Sequence, residues 1–242
     1  MRVFTYAERP DLASRTGEVE DTLPVFMGHG EVPLRHWGKL RTELPELQLV
    51  LWDEERDDVV GHARTLPARE ADGLPGGIDD MLENWFGDGS RPEPDVLSAM
   101  VAVVSRSRRG EGLSRLLIEA MRDLALHAGF ESLVAPVRPT WKDRYPLIPL
   151  ERYSRWTRDD GLPLDPWLRV HARLGAELLE VCPASMRIEG SREEWESWAE
   201  MRFPEDGEYT VPGALVPVTF TAGRGVYVEP NIWMRHRVRP RA

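Results

Sequence analysis

Ten consecutive residues of this chain contain four arginines and two glycines: Arg106, Arg108, Arg109, Gly110, Gly112 and Arg115. They follow an apolar, β-branched run ending at Val104 and precede an apolar-periodic stretch that begins at Leu113. A strand, a basic glycine turn and a helix start, in that order, build an anion site. The first N–H groups of a helix have no partner inside it, the helix dipole puts positive charge at that end, and glycine has no side chain to hold a phosphate away. The chain as a whole carries a formal charge of −10, so this turn is a local exception that suggests its ligand.

A second group of chemically capable residues lies between 138 and 164, where aromatics alternate with arginines. Arg138, Arg144, Tyr145, Tyr153 and Trp156 are the candidates for binding an acceptor: rings can wall a pocket and guanidinium groups can hold a carboxylate. The bland reading is an aromatic crossover packed on the sheet with its arginines in water. The same mixture also suits single-stranded nucleic acid. An acidic chain lacks the broad basic footprint that nucleic acid requires, so a small-molecule partner is expected and nucleic acid is not. No carboxylate lies between Val96 and Val104, and His62, on a neighbouring strand with Arg64 on the same face, reads as a half-exposed strand residue. No general base is therefore assigned. The single cysteine, Cys182, has no activating neighbourhood in the sequence, which argues against a covalent intermediate. No metal site is expected.

These residues need elements to position them. Leu47 to Trp52 and Val59 to Leu66 read as a hairpin, after a short strand over Arg2 to Ala7, a helical stretch from Pro10 to about Phe26 and a helix over Pro33 to Leu44. Ile78 to Phe86 reads as a short helix inside an insertion. Val96 to Val104 is almost wholly apolar, as a strand covered on both faces is. Leu113, Leu117, Met121 and Leu124 fall on one helical stripe stopped by Gly129, and Ser132 to Val137 reads as the parallel partner of the central strand. Asp165 and Pro166 open a further helix, Glu177 to Cys182 is another strand, and Ser191 with Glu194 is a capping box before a helix bearing Trp195, Trp198 and Met201. That stripe reads as core or as a homodimer contact. A final hairpin spans Ala214 to Met234. The expected fold is α/β, a mixed and splayed central sheet flanked by helices, with residues 1–190 as the main domain and 191–242 as a C-terminal helix-plus-hairpin extension. Neither a membrane span nor an export signal is visible, so a cytoplasmic protein is expected.

In this order the elements resemble the GCN5-related N-acetyltransferase superfamily. Its pyrophosphate motif, Arg/Gln-x-x-Gly-x-Gly/Ala, is matched by Arg109 to Ser114, with serine at the last position. Its helix ending in Leu-Gly-Phe, with tyrosine four residues before the glycine, is matched by Leu168 to Ala176, with His171 at the tyrosine position and Ala176 at the phenylalanine. The likeness covers roughly residues 1 to 182. It implies acetyl-CoA or another acyl-CoA as donor, with the pantetheine arm along Ala102, Val103 and Val104. Arg108, Arg109, Gly110, Glu111, Gly112, Leu113, Ser114 and Arg115 would surround the pyrophosphate. His171 would be the general acid that protonates the leaving thiolate. The implied reaction is direct transfer of an acetyl or other short acyl group to a small-molecule amine in a ternary complex. A longer acyl-CoA or carrier-bound thioester, and a non-catalytic acyl-CoA sensor, are the alternatives.

Overall fold

The apolar runs pair into one nine-stranded sheet in the computed structural model, which describes residues 1–19 and 23–238. The strands are β1 (Arg2–Thr5), β2 (Gln48–Asp53), β3 (Asp58–Ala68), β4 (Val96–Val104), β5 (Ser132–Val137), β6 (Glu177–Ser191), β7 (Gly207–Tyr209), β8 (Val218–Thr221) and β9 (Arg224–Arg237). Strands β1 to β5 lie side by side in chain order and β9 follows β5. One edge of β9 pairs with β6, and the other pairs first with β8 and then with β5. The β4–β5 pair is parallel and all others are antiparallel.

Two features of β4 shape the molecule. It meets β5 only at Leu97–Leu133 and Ser98–Val134, and then the two strands part. On its other edge Ala99 lies opposite Thr65 and Val101 opposite Arg64, so Met100 is the extra residue of a β-bulge. The bulge puts Met100 and Val101 on the same face, away from the one shared by Ala99 and Ala102.

Among the described residues seven α-helices flank the sheet: α1 (Pro10–Ser14), α2 (Glu31–Glu43), α3 (Ile78–Phe86), α4 (Leu113–His127), α5 (Leu150–Tyr153), α6 (Pro166–Arg173) and α7 (Arg192–Ala199). The stripe Leu113, Leu117, Ile118, Met121 and Ala125 of α4 is buried against Leu51, Ala63, Leu97 and Leu133. Across the sheet, α2, α3 and α7 bury a second cluster that includes Met100, Val134, Trp195 and Trp233. A third, smaller cluster gathers Tyr6, Leu12, Val50, Val59 and Val103 beside α1.

Three elements differ from the sequence reading. The helix expected from Pro10 to Phe26 ends at Ser14, and short 3₁₀ turns follow at Thr16–Glu18 and Val25–His29; Glu20, Asp21 and Thr22 of that stretch lie outside the described residues. Gly17 and Pro24 break the pattern on either side. The strand beginning at Glu177 continues to Ser191, because a register shift between Cys182 and Met186 accommodates Pro183, which cannot donate to a ladder. The last strand runs to Arg237 and lies in mid-sheet, so the C-terminal residues complete this chain's own sheet. Trp195 is wholly buried, its Nε1 donating to the Gly225 carbonyl at 3.0 Å.

Candidate functional site

The opening between β4 and β5 is the natural place for an extended ligand. From Ala99 onward one edge of β4 pairs with β3 while no registered strand partner meets the other. Peptide groups on that open edge are available to a ligand, and the bulge at Met100 interrupts the ladder just where the strands separate. Ala102 and Val104 are half-buried toward α4, and Val103 is buried on the other face.

At the end of β4 a single 3₁₀ turn, Arg106–Arg108, leads to Gly110 and Gly112, which take φ of +86° and +78°. A Cβ at either glycine would meet nothing within 4 Å, so left-handed backbone rather than crowding selects glycine here. Gly112 caps α4 without a side-chain hydrogen bond, which leaves the helix's first N–H groups to a ligand. Leu113 turns its side chain into the core, Ser114 is half-buried, and Arg109 and Glu111 are exposed. Arg115 reaches Glu119 at 2.8 Å from the surface of α4.

Arg108 departs from the expectation that it grips phosphate. Its Nε lies 2.8 Å from Glu111 and its Nη1 3.0 Å from Asp53 of β2, and these carboxylates, Glu111 first, hold its pKa above the usual arginine value. It braces the turn against the sheet, while backbone groups remain free to face outward.

His171 also departs from its expected role. It is buried, its Nδ1 2.9 Å from Nε2 of His236 on β9, with Trp167 edge-on to the ring at 4.6 Å. Burial, reinforced by His236, pushes its pKa down to about 3. An imidazole buried and paired in this way favours its neutral form, which is at odds with the imidazolium acid expected from the sequence. The partner that explains this, His236, carries no signal in the sequence.

The segment after β5 uses much of its polar chemistry internally. Arg138 Nε lies 2.7 Å from Glu229, which is 1% exposed and also receives Tyr227 OH and Asn231 Nδ2. Lys142 is wholly buried; it donates to the carbonyls of Tyr145 and Leu215, and burial lowers its pKa to about 8. Asp165 caps α6 through Trp167 N and Leu168 N and also accepts from Trp141 N and Tyr153 OH, both at 2.8 Å. Of the expected acceptor residues, Arg138 and Tyr153 are therefore engaged inside the protein. Arg144 and Tyr145 are exposed, with Arg144 over the Trp141 ring at 4.6 Å and Tyr145 edge-on to the half-buried Trp156 at 5.0 Å. A cavity of about 990 Å³ lies at the opposite, paired end of β4 and β5; its five carboxylates, Glu70, Asp95, Glu131, Glu177 and Glu180, outnumber its two arginines, Arg235 and Arg237, which are paired with Glu70 and Glu177, a setting unfavourable to CoA phosphates.

A sheet whose parallel pair splits beside a bulge, with a glycine-built helix start at the end of one strand, defines a protein that binds a phosphorylated, extended acyl carrier. No protein-family profile matches the chain. It is 31% identical to an arginine N-acetyltransferase of Aspergillus versicolor (avaD), across 97% of this chain and 93% of the relative. Among solved structures, the loading GNATL domain of CurA from Lyngbya majuscula superposes with a TM-score of 0.60 at 16% identity, covering 98% of this chain and 97% of the other. The GphF GNAT-like decarboxylase bound to isobutyryl-CoA superposes at 0.58 and 20%, covering 99% and 100%. The chain belongs to the GCN5-related N-acetyltransferase superfamily, and its chemistry is acyl transfer from an acyl-CoA to an amine. Among the described residues no helix is long and apolar enough to cross a membrane.

Proposed function

We propose that the protein transfers acetyl from acetyl-CoA to an amine of arginine or of a closely similar cationic amino acid. The observation that carries the acceptor is the 31% identity, over nearly the full length of both chains, to a protein named for arginine acetylation. The chain's charge of −10 supports it, since an acidic surface favours encounter with a cation.

In this reading, open-edge peptide groups of Ala102, Val103 and Val104 receive the pantetheine arm. N–H groups from Gly110 to Ser114 receive the pyrophosphate, with Arg109 and Arg115 adding charge and Arg108 holding the turn in shape. A backbone N–H at the Met100 bulge faces the carbonyl oxygen and stabilises it as charge develops. The acceptor's ammonium first gives one proton to solvent water; the neutral amine then forms the new C–N bond as the C–S bond breaks. The proton lost by the amine passes through water to the departing thiolate, so no side chain need act as base. Holding donor and acceptor together supplies much of the rate.

The test is thiol release from acetyl-CoA and from longer acyl-CoAs, against a panel of amino acids and amines. Arginine with acetyl-CoA is expected to give the highest kcat/KM. A clear preference for a neutral amine or for a long acyl chain would overturn the assignment, and binding of acyl-CoA with no turnover anywhere on the panel would favour a sensor.

A further inference from the structure

Arg64 lies on β3 directly opposite Val101, and its neighbour Thr65 lies opposite Ala99, so the Met100 bulge falls between the two registers. A side chain at Gly61 would point at Leu117 of α4, 3.4 Å away, and Ala63 belongs to the α4 cluster. Alternation then turns His62 and Arg64 to the opposite face. That face carries two separate clusters, one under α2, α3 and α7 and one under α1. Around Arg64, the strand residues His62 and Val101 are half-buried, unlike the buried Met100 and Val103. Helix α4 fills the near face of the sheet, so an acceptor meeting an acyl carbon at the bulge comes from this far side.

The Arg64 guanidinium sits over the Tyr6 ring at 4.6 Å. Its Nε and Nη1 are buried without a hydrogen-bond acceptor, and no carboxylate among the described residues forms an ion pair with it. Burial lowers its pKa, and the like charge of Arg41 adds to the effect. A partly buried cation with no counter-ion among the described residues is costly, and stacking on a ring offsets only part of that cost. By contrast Arg108, in the turn that follows the bulged strand, is satisfied by two carboxylates. Arg64 is left with two buried donors that meet no acceptor among the described residues, a like charge in Arg41 and a place beside the bulge. The CoA phosphates belong beyond Val104, at the far end of the strand, and cannot be its anion.

Resting on the acceptor reading above, we infer that Arg64 holds a substrate carboxylate next to the acyl carbon, and that this carboxylate is the acceptor's own. A planar fork suits a planar carboxylate through paired hydrogen bonds. It would make the enzyme select an amino acid over the amine that lacks the carboxylate. A carboxylate carried on the acyl group, as in malonyl-CoA, presents the same chemistry from the donor side.

The experiment compares wild type with Arg64→Gln and Arg64→Lys, using acetyl-CoA with arginine or with agmatine, its decarboxylated counterpart. Wild type is expected to favour arginine. Arg64→Gln is expected to lower kcat/KM for arginine about 10- to 100-fold, mostly through KM, with no comparable loss on agmatine; a charge-assisted hydrogen bond contributes this much. Arg64→Lys is expected to recover part of the loss. Equal losses on both acceptors, or a wild type that does not distinguish them, overturn the inference. If wild type prefers a different amino acid to its decarboxylated amine and Arg64→Gln erases that preference, the arginine assignment falls and the role of Arg64 stands. An Arg64-dependent preference for malonyl-CoA over acetyl-CoA, with agmatine as acceptor, retains the carboxylate site and overturns its assignment to the acceptor.

Discussion

The chain leaves the sheet twice at the mouth of the same opening, and the two exits are built in opposite ways. After β4 it makes a short turn of left-handed glycines, exposed residues and uncapped helix N–H groups. After β5 it makes a long crossover in which Arg138, Lys142, Tyr153 and Asp165 are tied to partners within the protein. Both segments are rich in arginine, yet the first also presents unpaired backbone N–H groups at a helix start, while the second keeps its exposed arginines on its outer surface. A polar group can serve a ligand where the fold leaves it without a partner, and interiors seldom do so. In the proposed reading the first exit is a receptor for an anion, while the second is a wall whose charges hold it to the C-terminal strands.

The contrast can be broken at either exit, and the largest effect belongs to the wall. Arg138→Met leaves Glu229 buried without its cation, a loss of about 3–5 kcal/mol for a broken buried pair. For a domain of this size that is a fall in Tm of roughly 6–20 °C, measured by thermal unfolding. Calorimetric CoA affinity of the folded protein is expected to stay at the wild-type value. A variant with unchanged Tm and a raised acceptor KM would mean that the second exit is itself a ligand site. At the first exit, Gly112→Val forces a β-branched residue into left-handed backbone, at about 1–2 kcal/mol. The free turn escapes that cost by relaxing and CoA binding must restore it, so CoA affinity is expected to weaken about 5- to 30-fold in the same titration, with Tm lowered by no more than roughly 2–8 °C. Unchanged CoA affinity would remove the turn from donor binding.

How much of this was legible in the sequence follows from how local each feature is. The bounds of β4, α4 and β5, and the cap at Asp165, depend on neighbours within a few residues, through periodicity, glycine and capping chemistry. They match the structure closely. The bulge at Met100 left no trace, because a strand apolar on both faces has no alternation to interrupt. The place of β9 between β5 and β6 depends on pairings made across the whole chain. The crossover misled for a related reason. Arg138 and Tyr153 look like ligand-binding residues until Glu229 and Asp165 are placed against them. His171 kept the family's position but not the expected chemistry, because its partner lies 65 residues away.

The histidine pair gives the smallest effect at neutral pH and sharpens the division between receptor and wall. His171 and His236 have folded pKa values pushed down by burial to about 3 and about 4, with Arg122 adding to the effect at His236. In the unfolded chain both titrate near the ordinary histidine value of about 6.5. Above that pH both states leave the rings neutral and the pair contributes no pH dependence. Below it the unfolded chain takes up protons that the folded one refuses, so stability falls as the pH drops from about 6.5 toward 4 and 3. The slope approaches about 1.4 kcal/mol per pH unit for each refused proton. Asp79, its pKa raised by burial to about 6, acts in the opposite sense and is common to wild type and variant, so it cancels in the comparison. The double variant His171→Asn, His236→Gln is expected to lose Tm less steeply than wild type between pH 7 and pH 5. Its kcat/KM profile for acetyl-CoA is expected to keep the wild-type limbs, because a ring that stays neutral contributes none. A limb near pH 6–7 that vanishes in the single variant His171→Asn would show that His171 takes up and gives a proton during turnover, and it would move α6 from the wall to the catalytic machinery.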